Sequence, residues 1–429
     1  MKLLLAAPFF LRVAGAFAAG AVAGSLVNLA AYALASRPRP ISPWSRPAPQ
    51  APPRRWLDRV PILGWLGLRR ESFLHGPSFW VRPMVVELLA GLGCAWLYWW
   101  YVARQGLLPL NLLRLMTPEL AAILHAQFAS HMVLILLMAA ASLIDADEKT
   151  IPDAITIPGT LFGLAVAAGC PWALLPVVRD LPNGRELLTP LTLSSPHVWP
   201  DCLRAWPNAY SLLLALACWW LWCFAILPRT WYSRHGWYRA WKLLCARLKR
   251  EPSTRWTILG GLVGSAIIYG VWRVGGLNWI GLLSALVGMA GSGGLVWAVR
   301  IIGAVTLRRE AMGFGDVTLM AMLGTILGWQ TCLVVFFVAP LVTLGVAFLR
   351  LILRREREIP YGPFLCLAAL IVLINWATLW PWLEDRVFIL GIWVPAAVVV
   401  CLGLLGVLLA AIDRLRRLLF PSPADKQRH

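Results

Sequence analysis

Two acidic clusters stand where apolar stretches meet their loops. One is Ser142-Leu143-Ile144-Asp145-Ala146-Asp147-Glu148-Lys149-Thr150-Ile151-Pro152-Asp153, and the other is Met312-Gly313-Phe314-Gly315-Asp316-Val317-Thr318-Leu319. Asp145 directly follows an apolar stretch and Asp316 directly precedes one. Two carboxylates brought close cannot easily both ionise, so one keeps a proton near neutral pH while the other stays charged. Such a pair can hydrolyse an amide: the ionised member takes a proton from water, and the protonated member donates to the carbonyl oxygen. The two would titrate as one coupled system. A single Asp at a helix boundary is more often a cap or a solvated residue. Spacing alone leaves Asp145, Asp147 and Asp153 all open as the first member of the pair.

The neighbouring residues have a physical use. Gly313 and Gly315 remove side chains beside Asp316, so a peptide backbone can approach closely. Ile151-Pro152 disfavours helix and restarts the chain in a new direction, fixing the short loop after Asp145. Glu87 is a further acidic residue in an apolar stretch, expected to pair with Arg82 or a neighbouring helix, or to shape the site.

Other constellations are weaker. His125 and His131 fall in one apolar segment, but six helical residues rotate them by about 240°, so they do not share a face. Nine cysteines are present without a CxxC pair, and most lie in apolar runs as small hydrophobes. No disulfide framework, metal site or cofactor is expected. HExxH, GxSxG, Walker and dinucleotide motifs are absent from the sequence.

The elements that must position these residues are membrane helices. Of 429 residues 59% are hydrophobic and 14% charged, against about 25% charged in a soluble domain. Spanning segments are expected at about 8–35, 84–103, 120–144, 155–178, 208–228, 256–275, 279–303, 317–349, 363–382 and 389–412. Gly328-Trp329-Gln330 is expected to turn the long eighth segment back on itself. The predicted fold is therefore all-α, a polytopic transmembrane helical bundle of about 10–11 spans. Its divisions are a first helix (1–36), a basic loop (37–83), helices with the first acidic cluster (84–178), a stretch with one span and a basic loop (179–255), helices with the second cluster (256–413) and a tail (414–429). The stretch Leu3–Leu34 carries Arg12 and is too long for a signal core, so it reads as a retained span.

The formal charge is +19, yet its basic residues collect in loops 36–83, 229–255 and 350–358 and in the tail. These fall on one side if the N-terminus is outside and eleven segments cross, which makes that side cytoplasmic. Both acidic clusters lie on the same side. Anionic membrane lipid, and not nucleic acid, is then the partner of the positive charge.

These residues together resemble a known family. Gly313-Phe314-Gly315-Asp316 resembles the GxGD motif of type IV prepilin peptidases, the membrane aspartyl proteases that process prepilins. Ile144–Asp147 through Ile151-Pro152-Asp153, Thr156 and Pro158 is similar to that family's first aspartate motif. Ile359-Pro360-Tyr361-Gly362-Pro363-Phe364 resembles the segment that follows its GxGD region. Gly24–Asn28, Arg59–Leu66 and Val86–Leu89 resemble its first helix, the end of its first loop and the start of its second helix. The resemblance implies that Asp145 and Asp316 are catalytic, with Gly313, Gly315, Pro152, Asp153, Glu87, Gly362 and Pro363 shaping the site. It also implies removal of short basic leaders from pilin-like precursors with a hydrophobic N-terminal helix, at the cytoplasmic face of the bacterial inner membrane.

Three departures stand out, the first being that residues 179–255, with an added span, are longer than the family's common pattern. Many relatives carry two CxxC pairs in the first cytoplasmic loop, which bind zinc and accompany N-methylation. Loop 36–83 has no cysteine, so zinc is not expected and methyl transfer is in doubt. Thr318 stands where the family often has lysine. Two rival functions remain for comparison. A transporter would place its carboxylates near the bilayer midplane at broken helices, and an inactive relative would only bind pilin-like helices.

Overall fold

The computed structural model describes residues 7–36, 38–39, 41–109, 117–180, 186–227, 252–307, 312–352 and 360–419. The basic residues read at 229–250 and 353–358, along with Arg37, Arg185, Cys245, Ile359 and the tail beyond 419, lie outside this set.

In chain order the elements are α1 (Phe9–Ala33), α2 (Leu63–Leu68), α3 (Ser72–His75), α4 (Val81–Val102), α5 (Pro118–Glu148), α6 (Asp153–Gly169), β1 (Pro176–Asp180) and β2 (Glu186–Pro190). There follow α7 (Ala209–Ile226), α8 (Pro252–Val274), α9 (Gly276–Leu307), α10 (Phe314–Ile352), α11 (Gly362–Ile374), α12 (Trp376–Arg386) and α13 (Trp393–Leu419). Among the described residues eight helices are long and apolar enough to cross a membrane: α1, α4, α5, α7, α8, α9, α10 and α13. The pair α11 and α12, bent by 89°, makes a ninth if counted as one span. The chain is a polytopic helical membrane protein.

This count takes α10 once, and the rest of the difference from 10–11 spans has local causes. The expected span 155–178 ends early: α6 stops at Gly169, and Pro171 opens a 3-10 turn that leads into β1. Its length is about 25 Å at 1.5 Å per residue, short of a hydrocarbon core of about 30 Å. The expected span 363–382 is broken by the bend between α11 and α12. The long α10 is interrupted at Gly328, where φ is +78° and ψ is 163°. This is the expected turning point, and glycine suits it because a side chain resists positive φ.

The two halves of α10 run in opposite directions. Asp316 begins the first half next to Asp145. Just past Gly328, Gln330 donates to the carbonyls of Thr192 (2.8 Å) and Leu193 (3.3 Å) at the other end of the bundle. After the second half, Gly362 lies against Asp145 again.

That other end is capped by residues 170–180 and 186–208, including the antiparallel β1–β2 pair, which an all-α reading did not contain. Ser130 and Gln127 of α5 donate to the carbonyls of Ala173 and Leu174. Trp376 donates to the Pro176 carbonyl, and Trp329 to that of Leu193. Along α5 the cap at Ser130 stands about 22 Å from Asp145.

Close helix contacts run through small residues, as expected where lipid supplies no hydrophobic drive between helices. A Cβ at Gly24 of α1 would stand 2.8 Å from the Glu87 Cα of α4, and one at Gly324 of α10 would stand 2.6 Å from the Gly288 carbonyl carbon of α9. Glu87 is fully buried between α1 and α4.

Candidate active site

Asp145 is carried by the last turn of α5. Lys149 ends that helix in the left-handed region with φ of 56°, and its N–H returns to the Asp145 carbonyl. Pro152 sits in extended conformation at the start of α6. The intervening Ile151 is buried and wedges between the starts of α10 and α11. A Cβ at Gly315 would come within 2.8 Å of the Ile151 Cβ, and one at Gly362 within 2.9 Å of its Cδ1.

Three helix ends meet at this point: the C-terminus of α5 and the N-termini of α10 and α11. The α5 end repels an anion and the other two ends attract it. The Asp145 carboxylate accordingly accepts from the Gly362 backbone at the start of α11. Asp316, in the first turn of α10, accepts from the Gly313 backbone. Both carboxylates are buried, with 4% and 7% exposure, and close enough for the charge of Asp145 to act on Asp316. Asp145 Oδ2 is buried with no hydrogen-bond partner among the described residues.

The structure separates the three aspartates that spacing left open. Asp145 faces the interior beside Asp316. Asp147 points outward and pairs with Arg82 at 2.7 Å, both side chains roughly half exposed. Asp153 is exposed in the first turn of α6, where the helix dipole favours an anion. Glu148 accepts from the Ser36 N–H at 2.8 Å, tying the end of α1 to the end of α5.

Other expected site residues take distinct places. Gly362 gives room to Asp145, since a Cβ there would stand 2.5 Å from Oδ2. Pro363 occupies the first turn of α11. Gly315 accommodates Ile151, whereas Gly313 is exposed, with Asp316 Oδ2 3.7 Å from an added Cβ. Gly313 thus borders open space beside Asp316, and Gly315 serves packing. Glu87 does not pair with Arg82, which Asp147 holds. It accepts instead from Ser25 (2.6 Å) and the Ile62 N–H (2.6 Å). Thr318 donates to the Gly315 carbonyl within its own helix, so no cation stands at that position. His125 and His131 each meet a tyrosine hydroxyl, of Tyr98 and Tyr101 respectively.

Two neighbours of the pair were not singled out from sequence. Tyr361 precedes α11; burial and the negative charge of Asp316 push its hydroxyl up to about 12. Cys366, one turn into α11, is near both carboxylates and bonds to Ser142. Tyr361 lies inside the Ile359–Phe364 segment, and Cys366 follows Gly362 by one helical turn, which was the available signal.

Loop 36–83 folds without a thiolate. Arg54 is 6% exposed and forks onto the fully buried Glu71 at 3.1 Å, while donating to the Ser42 and Ser45 carbonyls. Arg70 pairs with Asp58. With no cysteine present and both carboxylates committed to arginines, this donor set does not fit zinc.

Fold and site define a class: a polytopic helical membrane protein with a buried pair of aspartates at one end of its bundle. Residues 253–348, which include Asp316, match the type IV leader peptidase family. The chain is similar to three proteins named prepilin leader peptidase/N-methyltransferase. That of Aeromonas hydrophila is 32% identical over 96 residues, 22% of this chain and 32% of the relative. That of Pseudomonas aeruginosa is 39% identical over 85 residues, 18% and 28%. That of Myxococcus xanthus is 30% identical over 151 residues, 35% and 39%. The matched parts cover between 28% and 39% of these relatives' length. No solved structure matches the chain.

Proposed function

We propose that this protein is an aspartic endopeptidase that removes short basic leaders from prepilin-like precursors at the cytoplasmic face of the bacterial inner membrane. The single observation that carries the reading is the burial of Asp145 and Asp316 side by side where three helix ends meet. The pair holds one proton. The ionised member takes a proton from water, whose oxygen attacks the scissile carbonyl carbon. The protonated member donates to the carbonyl oxygen, and collapse of the tetrahedral adduct breaks the C–N bond as the amine nitrogen takes a proton. The unpartnered Asp145 Oδ2 is free to take part in this exchange. Gly313 leaves room for an extended substrate backbone.

Position supports the reading over transport. Both aspartates stand at the end of the bundle, about 22 Å along α5 from the cap contact at Ser130, and not midway along the helices. The end that carries them is also the end into which loop 36–83 folds. We assign that end to the cytoplasm, since the basic loops follow the positive-inside pattern. The precursor's hydrophobic helix would lie among the spans with its leader on the basic-loop side. The activity assigned needs no metal or cofactor, and it stops at cleavage; the methyl transfer in the relatives' name is not assigned to this chain.

The test is co-expression with a prepilin-like substrate that carries a short basic leader. Wild-type protein and Asp147→Asn should cleave it, and Asp145→Asn and Asp316→Asn should not. Cleavage that persists in both of the latter removes the mechanism.

A further inference from the structure

Residues 41–80 form a small unit whose polarity is the reverse of a soluble domain. Its acidic residues are inside: Glu71 is fully buried on Arg54, and Asp58 is 2% exposed on Arg70. Its apolar core is small, formed by Ile41, Trp65 and Leu68 with Tyr32, Phe79, Trp80 and Met84 around them. Large apolar side chains face outward instead. Trp56 is 75% exposed, Phe73 70%, Leu63 65% and Leu66 48%. Soluble surfaces carry single exposed hydrophobes, not a concentration of this kind.

Two further observations say what covers this face. The first is depth. The Ile62 N–H donates to Glu87, which lies about 9 Å into the spanning helix α4 from Val81. Ile62 is therefore level with the first turns of a membrane span, and Leu63 and Leu66 follow on one face of α2. The second is charge. Arg55, Arg59 and Arg69 are exposed, and the two carboxylates of the unit are already committed to Arg54 and Arg70. Arg59 and Arg69 stack on Trp44 and Trp80. Exposed Trp, Leu and Phe beside arginines is the composition of an element lying in the headgroup layer of an anionic leaflet.

We propose that residues 56–75 are an interfacial element. Trp56, Leu63, Leu66 and Phe73 enter the boundary of the acyl chains, and Arg55, Arg59 and Arg69 meet lipid phosphates. This does not depend on the peptidase reading. It gives the unit its anchor: α1 and α4 hold it from one side and the leaflet from the other.

The test uses the full-length protein in vesicles containing phosphatidylglycerol. Leu66→Cys and Phe73→Cys, each with Cys245 and the exposed Cys170, Cys202 and Cys401 changed to Ser, receive an environment-sensitive fluorophore, with Gln50→Cys in the same background as the solvated control. The expected result is several-fold stronger quenching by spin-labelled lipid at 66 and 73 than at 50, and weaker quenching by aqueous iodide. Equal iodide quenching at all three positions overturns the proposal, as does lipid-independent protection that appears only when the protein is concentrated into dimers. A second measurement needs no substitution. Photoreactive phosphatidylglycerol added to the wild-type chain should mark peptides from 56–75; adducts confined to the spanning helices overturn the proposal.

Discussion

Gly362 lies directly against the carboxylate of Asp145: a Cβ there would stand 2.5 Å from Oδ2 and 3.3 Å from Cγ. The contact sets the position of the pair, because α11 begins at this residue and its first backbone group holds Asp145. Gly362→Ala should therefore displace the carboxylate by a fraction of an ångström while the bundle stays folded. Displacements of about 1 Å at a reacting group can cost on the order of 100-fold in rate. The expected result is a loss of about 10- to 100-fold in kcat with KM and thermal stability nearly unchanged, read by a leader-cleavage assay on purified protein.

Asp147 offers the contrasting case. Its pair with Arg82 is about half exposed, and exposed pairs contribute roughly 0–1 kcal/mol. Asp147→Asn and Arg82→Gln should each leave cleavage within about 3-fold of wild type and should lower Tm only slightly. A loss as deep as that of Asp145→Asn would show that Asp147 takes part in the chemistry.

The loop unit makes a stability prediction. Arg54 and Glu71 are both buried, and removing one partner of such a pair leaves an uncompensated charge, at a cost of about 3–5 kcal/mol. Arg54→Ala or Glu71→Gln should make residues 41–80 sensitive to limited proteolysis. Chelators should not. Increased protease sensitivity on zinc chelation in wild-type protein would reverse this expectation.

Tyr361 predicts an alkaline limb. Its hydroxyl is held at about 12 in the folded protein by burial and the charge of Asp316, above an ordinary value of about 10. The unfolded chain therefore ionises first. The stability that Tyr361 contributes is fully present below pH of about 10 and is lost as pH rises toward 12. Tyr361→Phe should flatten the fall of Tm across that window. An unchanged alkaline fall would place its source elsewhere.

The way the site is written in the chain explains how far sequence could reach. Asp145 and Asp147 differ by two positions, which on a helix is about 200° of rotation. One therefore faces Asp316 and the other faces Arg82. That choice depends on which side of α5 is packed, and short-range spacing does not contain it; only the motif resemblance favoured Asp145. Tyr361 and Cys366 join the site because α11 returns to Asp145 after the turn at Gly328.

Composition by itself determined that the chain is helical and membrane-spanning, because hydrocarbon forces backbone groups to bond within a segment. Local residue types also determined the helix stop before Ile151-Pro152 and the break at Gly328, since proline and glycine act on their own dihedral angles. Tertiary structure alone decided the rest. It brought the two carboxylates together, gave Gly315 to Ile151 and Gly362 to Asp145, and closed the far end with the cap of residues 170–180 and 186–208. It also turned the loop unit inside out around Arg54 and Glu71. These are contacts between distant positions, such as Ile62 with Glu87 and Gln330 with Thr192, and a pairing across the fold leaves no periodic trace in one sequence.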